Sequence, residues 1–296
     1  MPLQQLKEIT GHAGAVYCCA SKDDYIYTGS SDNYVARWKI NEGVQDKFAI
    51  KFEQSVYTLC VTNEDVLVVG LANGGLHFFD ISSRKELKFY TQHTAAIFSI
   101  TYNSIKNHIY VADADGNLSV WSSDGSKLVI YLPLGCGKVR SISVENEGEH
   151  FALACQDGTV RIFDSEYFNE IVTIDGHNGG ATAALFHPLN PAFLITGGKD
   201  ALLKLWNWKS GKELKSVVAH TFAIYTIASI NNGKTIVTAS RDKCVKEWTS
   251  SLDFVKRLDA KLGGHKHSVN DLCVLSEELV ASCSDDRRIV LWEHKN

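Results

Sequence analysis

An aromatic residue closes an apolar stretch seven times along this chain, at Trp38, Phe79, Trp121, Phe163, Trp206, Trp248 and Trp292. The steps between them are 41, 42, 42, 43, 42 and 44 residues. Three further landmarks keep the same step. Six residues before each aromatic stands an acidic or amide residue: Asp32, Asn73, Asp115, Asp157, Asp200, Asp242 and Asp286. Ten residues before, four copies carry a hydroxyl, at Thr28, Thr196, Thr238 and Ser282. Between 26 and 29 residues before, five copies carry histidine, at His12, His93, His177, His220 and His265. A period near 42 residues is the signature of stacked supersecondary units, each too small to bury its own apolar faces.

Within a copy the segments are short and β-rich. In the fifth, residues 181–186, 193–197, 202–206 and 213–218 read as strands, separated by stretches rich in Gly, Pro, Asn or Asp. Turn chemistry recurs elsewhere, as in Asn231-Asn232-Gly233-Lys234 and Asp124-Gly125. Four short antiparallel strands cannot cover both of their faces, whereas seven such sheets arranged around an axis can.

Gly-His, then a hydroxyl, then Asp, then Trp at this spacing resembles the WD-repeat β-propeller family, from about Leu3 to Trp292. The resemblance implies an all-β, seven-bladed propeller with four antiparallel strands per blade. One departure is that no copy has a literal Trp-Asp pair; Asp follows the aromatic only in Phe79-Asp80 and Phe163-Asp164. In the family an N-terminal segment supplies the outer strand of the last blade. Residues 3–9 are expected in that role here, because the last copy stops after its third strand. An open ring would leave unpaired edges. Residues 1–296 are therefore read as one propeller.

The polar landmarks are expected to meet within a blade. His lies in the loop entering strand one and Asp in the turn between strands two and three, at the same end of the sheet. The hydroxyl and the indole N–H complete a chain of hydrogen bonds. Four copies hold the whole set: His12/Thr28/Asp32/Trp38, His177/Thr196/Asp200/Trp206, His220/Thr238/Asp242/Trp248 and His265/Ser282/Asp286/Trp292. The third copy keeps His93, Asp115 and Trp121 but has Val111 at the hydroxyl position, while the second and fourth have Val69 and Leu153 there and lack the histidine. Those two blades are expected to rest on apolar packing.

His, Asp and Ser or Thr together also spell a hydrolase triad. An active site is a singular constellation, however, and this one is repeated around a ring. Gly233-Lys234-Thr235 lacks the first glycine of a phosphate loop, with Ala228 in its place, and no HExxH or GxSxG motif occurs. No catalytic residue, cofactor or metal site is assigned.

Composition narrows the partners. Thirty Lys and Arg stand against 34 Asp and Glu, a net charge of −4, which disfavours a general nucleic-acid or anionic-membrane surface. No apolar run approaches the ~20 residues that span a bilayer, and the first fourteen residues lack a secretory layout. The eight cysteines form no CxxC pair and read as small buried hydrophobes in a reducing cytoplasm.

Function is then expected on an exposed face of the ring. By the family resemblance, two positions per blade face the end where strands enter the channel. The first gives Tyr17, Tyr57, Phe98, Arg140, Thr182, Tyr225 and Asn270; the second gives Ser31, Ala72, Ala114, Gln156, Lys199, Arg241 and Asp285. Tyr17, Tyr57, Phe98 and Tyr225 are interface-type anchors. Lys138, Arg140, Lys199 and Arg241 form a basic arc on blades four to six. Together they predict a noncatalytic scaffold, monomeric by itself, for a peptide or protein carrying an acidic or phosphorylated group. The alternatives are a small-molecule-binding or catalytic propeller using the central channel and, more remotely, nucleic-acid binding. Trp208, in the turn after the fifth aromatic strand, is expected to be exposed at the opposite end or rim.

Overall fold

Short β-branched and aromatic runs separated by turn residues form 28 strands in the computed structural model, which describes residues 2–294. Met1 and residues 295–296, where the last copy was read to end, lie outside the described residues. Blade one is built from Val16–Lys22, Tyr25–Ser30, Tyr34–Lys39 and Val44–Lys51, paired antiparallel in that order. Five further blades repeat this meander, giving sheets numbered here in chain order. The seventh pairs Val269–Ser276, Leu279–Ser284 and Arg288–His294 with Leu3–Thr10 as its outer strand. The architecture is a seven-bladed β-propeller whose ring is closed by the N-terminal strand. In that closing pair Leu3 faces His294 and Ile9 faces Ile289. Blade six holds the same strand from the side: the buried Glu247 carboxylate accepts the Leu3 N–H at 2.8 Å, and Lys256 Nζ donates to the Leu3 carbonyl at 2.9 Å.

The apolar core is divided among the interfaces between blades. Leu59, Val69 and Phe79 of blade two pack with Tyr27, Val35 and Phe48 of blade one. Across the closing seam Cys273, Cys283 and Leu291 of blade seven pack with Cys19, Ile26 and Trp38 of blade one. Neighbouring sheets approach so closely that a Cβ at Gly29 would stand 2.3 Å from Val56 of the next blade. Burial of each large side chain in these seams contributes ~1.5–3 kcal/mol.

Polar networks brace five of the blades. In blade one the Trp38 Nε1–H donates to Thr28 Oγ1 at 2.7 Å, the Thr28 hydroxyl meets His12 Nε2 at 2.8 Å, and His12 Nδ1 meets Asp32 Oδ2 at 2.8 Å. Every donor points toward the carboxylate when the imidazole is neutral. Asp32 also accepts the amides of Ala13 and Tyr34, tying the entry loop to the turn. Blades five, six and seven repeat the arrangement through Trp206–Thr196–His177–Asp200, Trp248–Thr238–His220–Asp242 and Trp292–Ser282–His265–Asp286. Burial holds the His177 and His220 pKa values below the usual imidazole range, with Asp200 and Asp242 only partly opposing it. Burial works against the charge on Asp242 as well. Hydrogen bonding and charge from His220, with the amides of Thr221 and Cys244, outweigh it and lower that carboxyl to about 2.

Blade three corrects the sequence reading. Its network is complete, with Asp113 and Ser119 in place of Asp115 and the missing hydroxyl. His93 Nδ1 meets Asp113 Oδ2 at 2.7 Å, His93 Nε2 meets Ser119 Oγ at 2.8 Å, and the Trp121 N–H donates to Ser119 Oγ at 2.8 Å. The physical reason lies in the ladder. Ser119 is directly opposite Val111, so the hydroxyl has crossed to the facing strand without leaving the face. Asp115 is exposed.

Blades two and four have replaced the network as a unit. In blade two Phe52, Val69 and Phe79 are buried, and the two phenyl rings meet edge to face at 5.8 Å. In blade four Cys136, Leu153 and Phe163 are buried in one apolar cluster. Trp208 departs from expectation: it is 2% exposed, packs edge-on against Phe186, and donates to the Pro191 carbonyl at 2.8 Å.

Two outcomes follow. Ser119→Ala and Thr196→Ala should each destabilise the chain by ~1–3 kcal/mol, because each leaves buried polar atoms unpaired, whereas Asp115→Asn should stay within ~0.5 kcal/mol in calorimetric unfolding. In native-state hydrogen exchange, amides of blades two and four should show less protection than those of blades five to seven; equal protection would contradict the bracing role.

Candidate functional site

The first strand of every blade carries a bulge at the same point. The ladder slips between Val16 and Cys18, Val56 and Thr58, Ile97 and Ser99, Val139 and Ser141, Ala181 and Ala183, Ile224 and Thr226, and Val269 and Asp271. The residue skipped in each case is the first-group position: Tyr17, Tyr57, Phe98, Arg140, Thr182, Tyr225 or Asn270. A bulge re-aims the side chain of its extra residue. Here six of the seven line a central cavity of about 620 Å³, within the range of ligand-sized sites. Thr182 does not join them; it is buried, and its hydroxyl bonds to the Ile224 and Gly197 carbonyls.

The aromatic and basic residues form one connected arc. Tyr17 meets Tyr57 edge to face at 5.2 Å, and Tyr57 stacks on Phe98 at 5.1 Å. The Arg140 guanidinium lies 5.1 Å from the centroids of both Phe98 and Tyr225, and Lys138 Nζ lies 4.1 Å from that of Phe98. Such cation–π contacts are worth ~0.5–2 kcal/mol each and fix the guanidinium in place. Across the ring, Asn270 Nδ2 donates to Asp285 Oδ1 at 2.8 Å. The mouth is thus basic on blade four and acidic on blade seven.

The second-group residues divide. Asp285 lines the cavity. Lys199 is exposed and close enough to Lys138 to depress its pKa, after burial and Arg140. Gln156 Oε1 accepts the Lys138 amide at 3.2 Å. Arg241 lies over Phe222 of its own entry loop, 5.8 Å from the ring, and does not line the cavity. Ser31, Ala72 and Ala114 are only partly exposed and make no such arc.

Deeper in the channel, polar side chains tie adjacent blades together. Thr58, Ser99 and Ser141 accept the amides of Ile100, Ile142 and Ala184 on the following blade, at 3.1–3.3 Å. Asp271 of blade seven likewise accepts the Cys19 amide of blade one at 3.0 Å, and its other oxygen takes the Leu272 amide. Burial pushes the Asp271 pKa up to about 6, against the lowering effect of those amides. Sequence reasoning missed this belt, although hydroxyl or carboxyl residues recur at one position of the first strands: Thr58, Ser99, Ser141, Thr226 and Asp271. Among the described residues no group of three or more His, Cys, Asp or Glu converges to hold a metal ion, and no helix is long and apolar enough to cross a membrane.

The ring of bulged blades, the polar networks and the repeat period coincide with a known pattern. The family model described as "WD domain, G-beta repeat" matches residues 3–39, 84–122, 130–164, 168–207, 211–249 and 256–293. The chain belongs to the WD-repeat family. The longest unmatched stretch, 40–83, holds most of blade two, where Phe52, Val69 and Asn73 stand at the histidine, hydroxyl and aspartate positions. The U3 small nucleolar RNA-associated protein 15 homolog of Gallus gallus is 25% identical over 212 residues, 68% of this chain and 39% of that one. Pre-mRNA-processing factor 19 homolog 2 of Arabidopsis thaliana is 27% identical over 185 residues, 61% and 35%. Human striatin-3 is 22% identical over 298 residues, 88% and 37%. The chain spans little more than a third of these longer relatives.

The Asp271 carboxyl generates a pH dependence. Its folded pKa of about 6 lies above its ordinary 3.8, so between these values the folded state binds more protons. Stability from this group is full below pH ~4 and is lost as pH rises through ~6. Asp271→Asn should flatten the wild-type decline in melting temperature across that window; an unchanged profile would exclude Asp271 as its source.

Proposed function

We propose that this WD-repeat chain is a noncatalytic docking scaffold that binds a peptide or protein at the channel mouth. One observation carries the reading: a bulge repeated in every blade delivers Tyr17, Tyr57, Phe98, Arg140 and Tyr225 to one rim. Rigid aromatics and arginine supply large contact area at low conformational cost, as at interface hot spots. Lys138 and Lys199 extend this rim on its basic side, and Arg241 forms a separate contact on blade six.

The noncatalytic reading is supported by how the polar groups are engaged. The channel hydroxyls of Ser99 and Ser141 accept backbone amides, and Asp271 is bonded to two more. Burial raises the neighbouring Cys18 thiol well above its usual pKa, with Asp271 adding to the shift, so no thiolate nucleophile stands there. The names of the chicken and Arabidopsis relatives refer to nucleolar RNA and pre-mRNA processing. They favour the nucleus over the cytoplasm expected from the sequence; both are reducing compartments, in keeping with eight buried free thiols.

Affinity capture with the intact chain beside Tyr17→Ala/Phe98→Ala and Lys199→Glu/Arg241→Glu variants tests the reading. The aromatic pair should weaken partner binding at least tenfold with folding intact, and the charge-reversed pair should weaken it less. Unchanged capture by both variants would move the site elsewhere.

A further inference from the structure

Arg140 and Lys138 differ from the other arginines and lysines that are partly shielded from water. Arg37, Arg161 and Arg288 each reach a carboxylate, and Lys106 and Lys204 do likewise. Arg140 and Lys138 flank the buried Val139 on blade four, and among the described residues neither side chain makes an ion pair or a hydrogen bond. The Lys199 ammonium, also without a carboxylate, stands beside them. Asp157, in the turn of the same blade, is held by Arg161 at 2.8 Å. Asp271 and Asp285 belong to blade seven, on the other side of the channel. Three positive charges therefore crowd one sector of the mouth with nothing to neutralise them. Burial depresses the Arg140 pKa, and burial with Arg140 and Lys199 depresses that of Lys138.

We propose that Lys138, Arg140 and Lys199 form a binding site for a dianionic phosphate monoester. Resting on the reading of the mouth as a docking surface, this names the chemistry that surface selects. Charge count decides between anions: a single carboxylate leaves two positive charges unbalanced, whereas a phosphate monoester brings nearly two negative charges and three acceptor oxygens. Geometry agrees. The guanidinium is clamped between Phe98 and Tyr225, so its donors are pre-aimed and little side-chain entropy is lost on binding. The lysines add point charges beside it. Asp285 and Asp271 repel the anion from the far side and confine it to blade four.

The phosphate is carried by a peptide side chain or by a small soluble ester, and the test separates the two. Arginine-labelled protein is titrated with inorganic phosphate, O-phosphoserine, a glycine-flanked phosphoserine pentapeptide, and acetate at matched ionic strength, following the Arg140 Nε–H resonance. Phosphate and O-phosphoserine should shift it saturably and bind at least tenfold more tightly than acetate. Lys138→Gln/Lys199→Gln, which alters side chains that pair with no carboxylate, should weaken phosphate at least tenfold, and Arg140→Gln should abolish it. A pentapeptide that binds several-fold more tightly than O-phosphoserine supports a peptide source, and equal affinity supports a soluble ester. Phosphate binding no better than acetate, or indifference to the double lysine change, overturns the site. If it falls while Tyr17→Ala/Phe98→Ala still weakens partner capture at least tenfold, the docking face stands and only its anion chemistry is wrong.

Discussion

A four-stranded sheet with two apolar faces has to find cover for both, and a ring is the arrangement in which every sheet covers its neighbours. Each seam holds its own cluster of buried side chains, so blade one depends on blades two and seven alike. The dependence makes the closing strand decisive. Leu3–Thr10 is bonded along Arg288–His294 and gripped from blade six by Glu247 and Lys256. Two blades and both ends of the described chain thereby meet at one seam, where opening would expose a strand edge and two apolar faces together.

The bracing networks obey a stricter rule than the packing. A buried hydroxyl, imidazole and indole are tolerable only when all are paired, and a partial set costs more than none. Blades two and four follow this rule by exchanging histidine, hydroxyl and tryptophan together for apolar or weakly polar groups. Blade three follows it by moving the hydroxyl to Ser119 and the carboxylate to Asp113. The five complete networks are thus one solution reached by two routes.

The same framework shapes the channel mouth. The channel belt fixes the first strands against one another, and the bulge above it turns one residue per blade toward the mouth. Because the bulge is a backbone feature, its side chain is free to vary, and the mouth carries tyrosine, phenylalanine, arginine, threonine and asparagine on a common scaffold. The cations of blade four rest on aromatic rings of blades three and six and meet no carboxylate among the described residues.

Covalent spacing along the chain determined the blade count, the strand boundaries of blade five to within a residue, and the residues that meet in four of the networks, since each of these depends on separations that recur with a fixed period. The proposed docking face was legible only in outline, through positions carried over from the family. Tertiary structure alone decided that Thr182 turns inward, that Trp208 is buried against Phe186, that Arg241 stands apart from the arc, and that Ser119 substitutes for a hydroxyl at Val111. It alone brought Arg140 between Phe98 and Tyr225, from blades three and six. The physical reason is common to all of these. A cross-strand neighbour, a bulge and a contact across the ring are relations between distant parts of the chain, and a linear period records only how far apart those parts lie.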